Sequence, residues 1–208
     1  MSSLAKMRSS KKSHITACIL ALALTAGAAQ NPRVVIETEK GAIVVEVDLV
    51  RAPVTAANFL RYVDAGLYDG STFHRTVTMS NQPRDAVRIE VVQGGQLPGV
   101  REFAPIAHET TATTGLRHLD GVISMARDKP GTAASSFFFC INDQPELDFG
   151  GRRNPDGQGF AAFGRVVAGM DVVRAIQGLP AEGQQLKPPV RIISVRRLEA
   201  AKKTDLPE

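Results

Sequence analysis

Short β-rich runs, each bounded by Gly, Pro or Asp, occupy most of the chain after residue 30. Residues 33–50 hold two such runs around Glu39-Lys40-Gly41, a pattern typical of a β-hairpin with Gly at its turn. Further strands are predicted at 72–77, 88–92, 121–126, 135–141, 160–167 and 190–198. About eight strands with only two helical segments favour a closed antiparallel β-barrel over alternating parallel units.

Two segments carry the periodicity of a helix instead. The first spans 52–66, where Pro53 suits the first turn and Gly66 ends the pattern. The second spans 169–179, with an apolar stripe formed by Val172, Val173 and Ile176. The fold is therefore predicted to be mainly β, with two short helices.

The first 29 residues have the character of a targeting segment. Lys6, Arg8, Lys11 and Lys12 precede an apolar run at 15–29 that ends in small residues. This order is typical of a secretory signal peptide, here with cleavage near Ala29. A membrane span needs about 20 apolar residues, so cleavage is favoured over the alternative, an uncleaved N-terminal membrane anchor. The sequence thus predicts a signal peptide at 1–29, one domain at 30–208 and a periplasmic or secreted location.

Charge, cysteine and histidine content exclude several classes of function. The chain has 25 Lys and Arg against 21 Asp and Glu, and the leader holds four of the basic residues and no acidic one, which leaves 25 − 4 = 21 against 21. A basic surface for nucleic acid is therefore not expected. Cys140 alone remains after cleavage, so no intramolecular disulfide is expected. The histidines lack metal-ligand spacing, so a metal site is not expected.

Six motifs follow one another in a specific order: "APVTAANFLRYVDAGLYDGSTFHR", "VVQGG", "GVISMAR", "SSFFFCI", "ELD" and "FAAFGRVVAGMDVV". In these motifs, from about Val34 to Leu198, the chain resembles the cyclophilin family of peptidyl-prolyl cis/trans isomerases. The resemblance implies a closed eight-stranded antiparallel β-barrel capped by two α-helices, in agreement with the strand count. It also implies proline-containing polypeptides as partners, no cofactor, and a monomer.

The same resemblance implies the site. The Arg of the F-H-R motif is catalytic in cyclophilins and corresponds to Arg75. Since side chains alternate along a strand, Phe138 and Phe137 are expected on opposite faces, and Phe138 matches the family's pocket residue. The substrate-binding residues implied are Gln93, Phe138, Val91, Ala126, Arg127, Ser136, Leu147 and Phe160.

The chain departs from the family pattern in several places. About ten extra residues, in "TVTMSNQPRDAVR", separate Arg75 from the Q-G-G strand compared with shorter family members, and this insertion at 77–88 could cover the groove or lie away from it. Glu90 replaces a pocket aromatic, Ser136 stands for a common Gln, and Glu146 takes the place of an indole or Phe. Glu90 and the insertion favour an alternative function, a non-catalytic module or chaperone that binds proline peptides in the same groove.

Overall fold

Nine strands and three α-helices form the part of the chain that the computed structural model describes, residues 31–95, 99 and 102–198. The strands are β1 (Arg33–Thr38), β2 (Gly41–Val47), β3 (Thr72–Val77), β4 (Val91–Gly94), β5 (Val122–Met125), β6 (Phe137–Cys140), β7 (Ala161–Ala168), β8 (Ala181–Glu182) and β9 (Gln185–Leu198). The helices are α1 (Pro53–Asp64), α2 (Thr111–Thr114) and α3 (Met170–Gln177), with a 3₁₀ turn at Pro145–Leu147. None of the described helices is long and apolar enough to span a membrane.

Eight of the strands close into an antiparallel barrel. Their order is β1-β2-β7-β5-β6-β4-β3-β9, and β9 also pairs with β1 to complete the ring. Strand β8 pairs only with β9, through a tight turn at Gly183-Gln184. The closed, mainly β barrel predicted from the sequence is therefore confirmed.

The helix count and some boundaries differ from the predictions. Helix α2 is a third helix, and sequence periodicity misses it because four residues are too short to show an apolar stripe. Thr110 caps its start and Gly115, with φ of 70°, ends it. Strand β4 begins at Val91 instead of residue 88, and β9 begins at Gln185 instead of residue 190. The predicted signal peptide at 1–29 lies outside the described residues.

Alternation along β6 divides the apolar side chains between two clusters. Phe137 and Phe139 point into the barrel, where they join a large core with Phe59, Tyr68 and Phe163. Phe138 and Cys140 point outward and join a smaller cluster with Val77, Ile89, Val91 and Leu147. The opposite placement of Phe137 and Phe138 agrees with the two-residue period of a strand. The smaller cluster therefore lies on the outer face of the barrel wall.

The Gly pair after Gln93 lets β4 lie close to its neighbours. A Cβ atom on Gly94 would lie 2.7 Å from the Thr72 carbonyl oxygen. A Cβ on Gly95, which has φ of 91°, would lie 2.5 Å from the ring of Phe137. Only glycine fits both positions without displacing strand β3 or the core.

Candidate active site

A groove of about 430 Å³ lies over the outer cluster, across strands β3, β4 and β6. The strand register places Arg75 opposite Gln93, and Gln93 opposite Phe138, so these three side chains form one row across the sheet. The groove is lined by all nine residues predicted for the site: Arg75, Val91, Gln93, Ala126, Arg127, Ser136, Phe138, Leu147 and Phe160. The structure thus brings the predicted residues together, and their individual roles remain predictions.

Two glutamines hold the guanidinium of Arg75. Its Nε and Nη2 donate to Gln184 Oε1 at 2.9 and 2.6 Å, and its Nη1 donates to Gln93 Oε1 at 2.8 Å. A guanidinium carries more N–H donors than these three contacts use, so donors remain for a ligand. Burial lowers the pKa of Arg75, and the positive charge of Arg153 adds to this effect. The side chain stays cationic, because an arginine pKa lies far above neutral pH.

Gln93 is itself fixed by a second contact. Its Nε2 donates to Ser136 Oγ at 3.1 Å, and Ser136 Oγ in turn donates to the Gly94 carbonyl at 3.3 Å. This chain of hydrogen bonds turns the Gln93 carbonyl oxygen toward Arg75. Ser136 therefore supports the orientation of the cation.

The floor beside Arg75 is apolar. Phe138 is 4% exposed and lies edge-on to Phe160, with ring centroids 5.3 Å apart and an interplanar angle of 87°. Leu147 and Val91 complete the same cluster. A fixed cation beside an aromatic-floored pocket can hold a compact apolar ring and donate hydrogen bonds to the polar atoms attached to it.

Comparison with known proteins assigns this arrangement to a family. The model of the family "Cyclophilin type peptidyl-prolyl cis-trans isomerase/CLD" matches residues 33–197. The chain belongs to the cyclophilin-type peptidyl-prolyl cis-trans isomerases. A peptidyl-prolyl cis-trans isomerase of Streptomyces antibioticus is 37% identical over 148 residues, which cover 69% of this chain and 82% of that protein. Peptidyl-prolyl cis-trans isomerase A of Dickeya dadantii is 35% identical over 178 residues, 81% of this chain and 85% of the relative.

The cyclophilin fold is also seen in a solved structure. A cyclophilin of Cryptosporidium parvum, determined in the presence of the dipeptide Ala-Pro, superposes with a TM-score of 0.61 at 20% sequence identity. The match covers 81% of this chain and 99% of that protein. At this identity, the comparison shows a shared fold.

A buried polar relay supports the floor of the cyclophilin groove from behind. The ring of His118 stacks on Phe138 with centroids 6.1 Å apart. Its Nδ1 lies 2.7 Å from Asp148 Oδ1 and its Nε2 lies 3.0 Å from Ser124 Oγ. Burial raises the pKa of Asp148, but hydrogen bonds from the side chain and backbone of His118 outweigh this and hold that pKa below its usual value.

The relay has the residue types of a hydrolase triad but not its accessibility. Ser124 is 0% exposed and His118 is 1% exposed, with Phe138 packed over the imidazole. A nucleophile must reach its substrate, so Ser124 cannot act as one. The three residues instead fix the position of Phe138 in the cyclophilin groove.

Arg127 lines the groove, but its guanidinium is hydrogen-bonded to other residues of the protein. Its Nη1 and Nη2 pair with Asp156 at 2.8 and 3.0 Å, and its Nε donates to the Gly159 carbonyl at 2.9 Å. The Arg127 contact lowers the pKa of Asp156 to about 2. Arg127 therefore fixes the loop that precedes Phe160, and a contact with substrate would use its backbone or its stem.

The insertion after Arg75 packs beside the groove instead of covering it. Gln82 is 2% exposed and ties the loop together by donating to the carbonyls of Thr78 and Ile89, each at 2.7 Å. Ile89, which is 5% exposed, lines the groove, whereas Glu90 accepts a hydrogen bond from Asn142 at 2.9 Å. The apolar residue at this edge is therefore Ile89, and Glu90 does not line the pocket.

Sequence reasoning missed Gln184, which contacts Arg75, and eight residues of the groove lining: Ile89, Glu102, Asp128, Thr132, Ala134, Ser135, Arg153 and Asn154. Of these residues, only Ser135 belongs to a motif that identified the family. Gln184 occupies the turn between β8 and β9, where Gly183 with φ of 60° is the only local signal. Its proximity to Arg75, 109 positions earlier in the sequence, depends on the pairing of β3 with β9.

Proposed function

We propose that this cyclophilin catalyses rotation about X-Pro peptide bonds in exported polypeptides, with Arg75 as the catalytic residue. The groove residues named above would hold the proline and the flanking peptide. The names of the relatives and the family membership support the reaction. Uncatalysed isomerisation takes tens to hundreds of seconds, which is slow enough to limit folding, so exported proteins would benefit from the activity.

The chemistry requires a fixed cation and little else. Resonance gives the peptide C–N bond partial double-bond character and a rotation barrier of about 18–20 kcal/mol. In the twisted transition state this resonance is lost, and the prolyl nitrogen carries a localised lone pair. A guanidinium that donates more strongly to the twisted amide than to the planar one lowers the barrier.

One observation carries the proposal: the preorganised guanidinium of Arg75 beside the aromatic floor. Both of its partners are neutral amide oxygens, so within the described residues no carboxylate neutralises it through a hydrogen bond. Donors held in place before the substrate arrives need no reorganisation during the reaction, which is the basis of electrostatic catalysis.

The purified protein should accelerate the cis-to-trans conversion of an X-Pro peptide, measured by a protease-coupled assay. The alternative is a module or chaperone that binds proline peptides without catalysis. Calorimetry on the same peptide separates the two, because a binder would show affinity with the uncatalysed rate. Glu90 is one feature that favours that alternative, but its side chain lies away from the groove lining.

We further propose that the chain is exported and processed near Ala29, from the basic and apolar succession at its N-terminus. Mass spectrometry of the protein recovered from the periplasm or the culture medium of its native cells should find an N-terminus close to Gln30. Replacing Lys6 and Arg8 with Glu is the control, since loss of the basic region should reduce export. An intact Met1 in a cytoplasmic fraction would contradict the proposal.

A further inference from the structure

A third arginine, besides Arg75 and Arg127, lines the groove at one end. The register places Val77 opposite Val91, and Val91 opposite Cys140, in the row next to that of Arg75. Ile89 extends the groove lining beyond this row. The insertion therefore borders the Val91 end of the groove.

Arg153 reaches this end from the loop between Leu147 and Phe160. Its Nη1 donates to the Val87 carbonyl at 2.7 Å and lies 3.1 Å from Asp85 Oδ2. The side chain is 16% exposed and lines the same groove as Arg75. The insertion thus holds the guanidinium of Arg153 at a fixed place in the groove wall.

The contacts of Arg153 use only one of its three guanidinium nitrogens. Both partners are contacted through Nη1, and Nε and Nη2 make no hydrogen bond with any residue that the structure describes. The neighbouring Asn154 has a buried Nδ2 that also lacks a partner there, and Asn154 lines the groove as well. Buried polar groups are almost always paired, and Asn154 Nδ2 is an exception. Arg153 Nε and Nη2 are not buried in this way, so they are open in the groove wall, where a ligand that accepts hydrogen bonds can reach them.

The charge balance favours an anionic acceptor. Arg75 and Arg153 lie close enough for the charge of Arg153 to depress the pKa of Arg75, and Asp85 is the carboxylate that opposes this effect. Among Arg75, Arg153 and Asp85 the net charge is therefore positive, while the carboxylates Glu102 and Asp128, which also line the groove, are not among the charges that act on Arg75. The Nε and Nη2 donors of arginine form a planar fork that matches the two oxygens of a carboxylate.

We propose that Arg153, assisted by Asn154, is a specificity-determining residue that binds the carboxylate of an Asp or Glu adjacent to the substrate proline. This inference rests on the proposed function, because it needs a peptide in the groove. The insertion that sets this chain apart would then have a role: Asp85 and Val87 hold the selecting arginine in place.

Matched peptides test the proposal by NMR exchange, which needs no coupling protease. Two pairs differ only in Glu or Gln, one pair with this residue before the proline and one with it after. The protein should show a kcat/KM about tenfold higher for Glu than for Gln in one pair, the size expected for a partly exposed charge-assisted hydrogen bond. Equal values within both pairs would overturn the proposal.

Variants of the protein test whether Arg153 produces the preference for Glu over Gln. Arg153→Gln should reduce the Glu-to-Gln ratio of kcat/KM to about one, and Arg153→Lys should keep part of it because charge remains without the fork. Asp85→Asn should raise the ratio, because the amide oxygen can still accept from Nη1 and keep Arg153 in place while the competing negative charge is removed. Arg152→Gln is the control, since Arg152 is in the same loop but pairs with Glu146 outside the groove lining, and its ratio should stay unchanged.

The outcomes separate two failures. Activity on all four peptides without a preference overturns the role of Arg153 and leaves the proposed function standing. No activity on any peptide overturns the proposed function itself. A preference that survives in Arg153→Gln assigns the selection to another group and also overturns the inference, and the ratio in the unmodified protein is informative even if a variant fails to fold.

Discussion

Arg75→Ala is expected to lower kcat for a proline peptide by about 100- to 1000-fold, a loss of roughly 2.7–4 kcal/mol of transition-state stabilisation. Peptide binding should weaken much less, because the guanidinium acts chiefly on the twisted amide. The measurement is kcat and KM by an isomerisation assay, with thermal unfolding of the variant recorded beside it. Deletion of one preorganised donor has an effect of this size in other enzymes.

Two further variants separate positioning from charge. Arg75→Lys keeps a cation but loses the fork that reaches both glutamines, so most of the rate should still be lost. Gln184→Ala keeps the guanidinium but removes the acceptor of its Nε and Nη2, and a smaller loss is expected. If Arg75 were only a surface ion-pair residue, Arg75→Ala would cost about 0–1 kcal/mol of stability and leave catalysis unaltered. A folded Arg75→Ala variant with unaltered rates would refute the mechanism.

The barrel is predictable from the sequence because its strands repeat a two-residue pattern between turn residues. That pattern specifies which side chains share a face, and it correctly predicts that Phe137 and Phe138 lie on opposite faces of β6. The residues of the groove follow from the family resemblance, since no local pattern marks Arg75 as different from an arginine on a solvated strand. Their convergence in one groove is what the structure adds.

The contacts that pattern reasoning missed are those made between distant loops. Gln184 reaches Arg75 because β9 pairs with β3, and Arg153 meets Val87 because the loop after Leu147 packs against the insertion. Both involve polar side chains in loops, where no periodicity constrains direction. Glu90 is a related case: the family resemblance predicts it at a pocket position, but the groove is lined by its neighbour Ile89.

Phe138→Ala should differ from Arg75→Ala, because it damages binding, rate and stability together. The side chain is 4% exposed and packs on Phe160 and His118. Removing a buried Phe typically costs about 3–5 kcal/mol of stability, and the lower end is expected here because the groove admits water to the vacated space. Loss of the floor beneath the proline should lower kcat/KM about 10- to 100-fold, equivalent to burying one apolar ring at roughly 1.5–3 kcal/mol.

A pair of milder variants isolates the role of the groove floor from that of packing. Phe138→Leu and Phe139→Leu alter the same residue type on adjacent positions of β6, one facing the groove and one facing the barrel core. Each should lose up to about 1.5 kcal/mol in urea unfolding, because the volume change is small. Only Phe138→Leu should raise KM, since Phe139 is 0% exposed and cannot touch a peptide. If both variants changed kcat/KM equally, the effect would come from loosened packing of the barrel. Phe138 would then have no specific role in binding the proline.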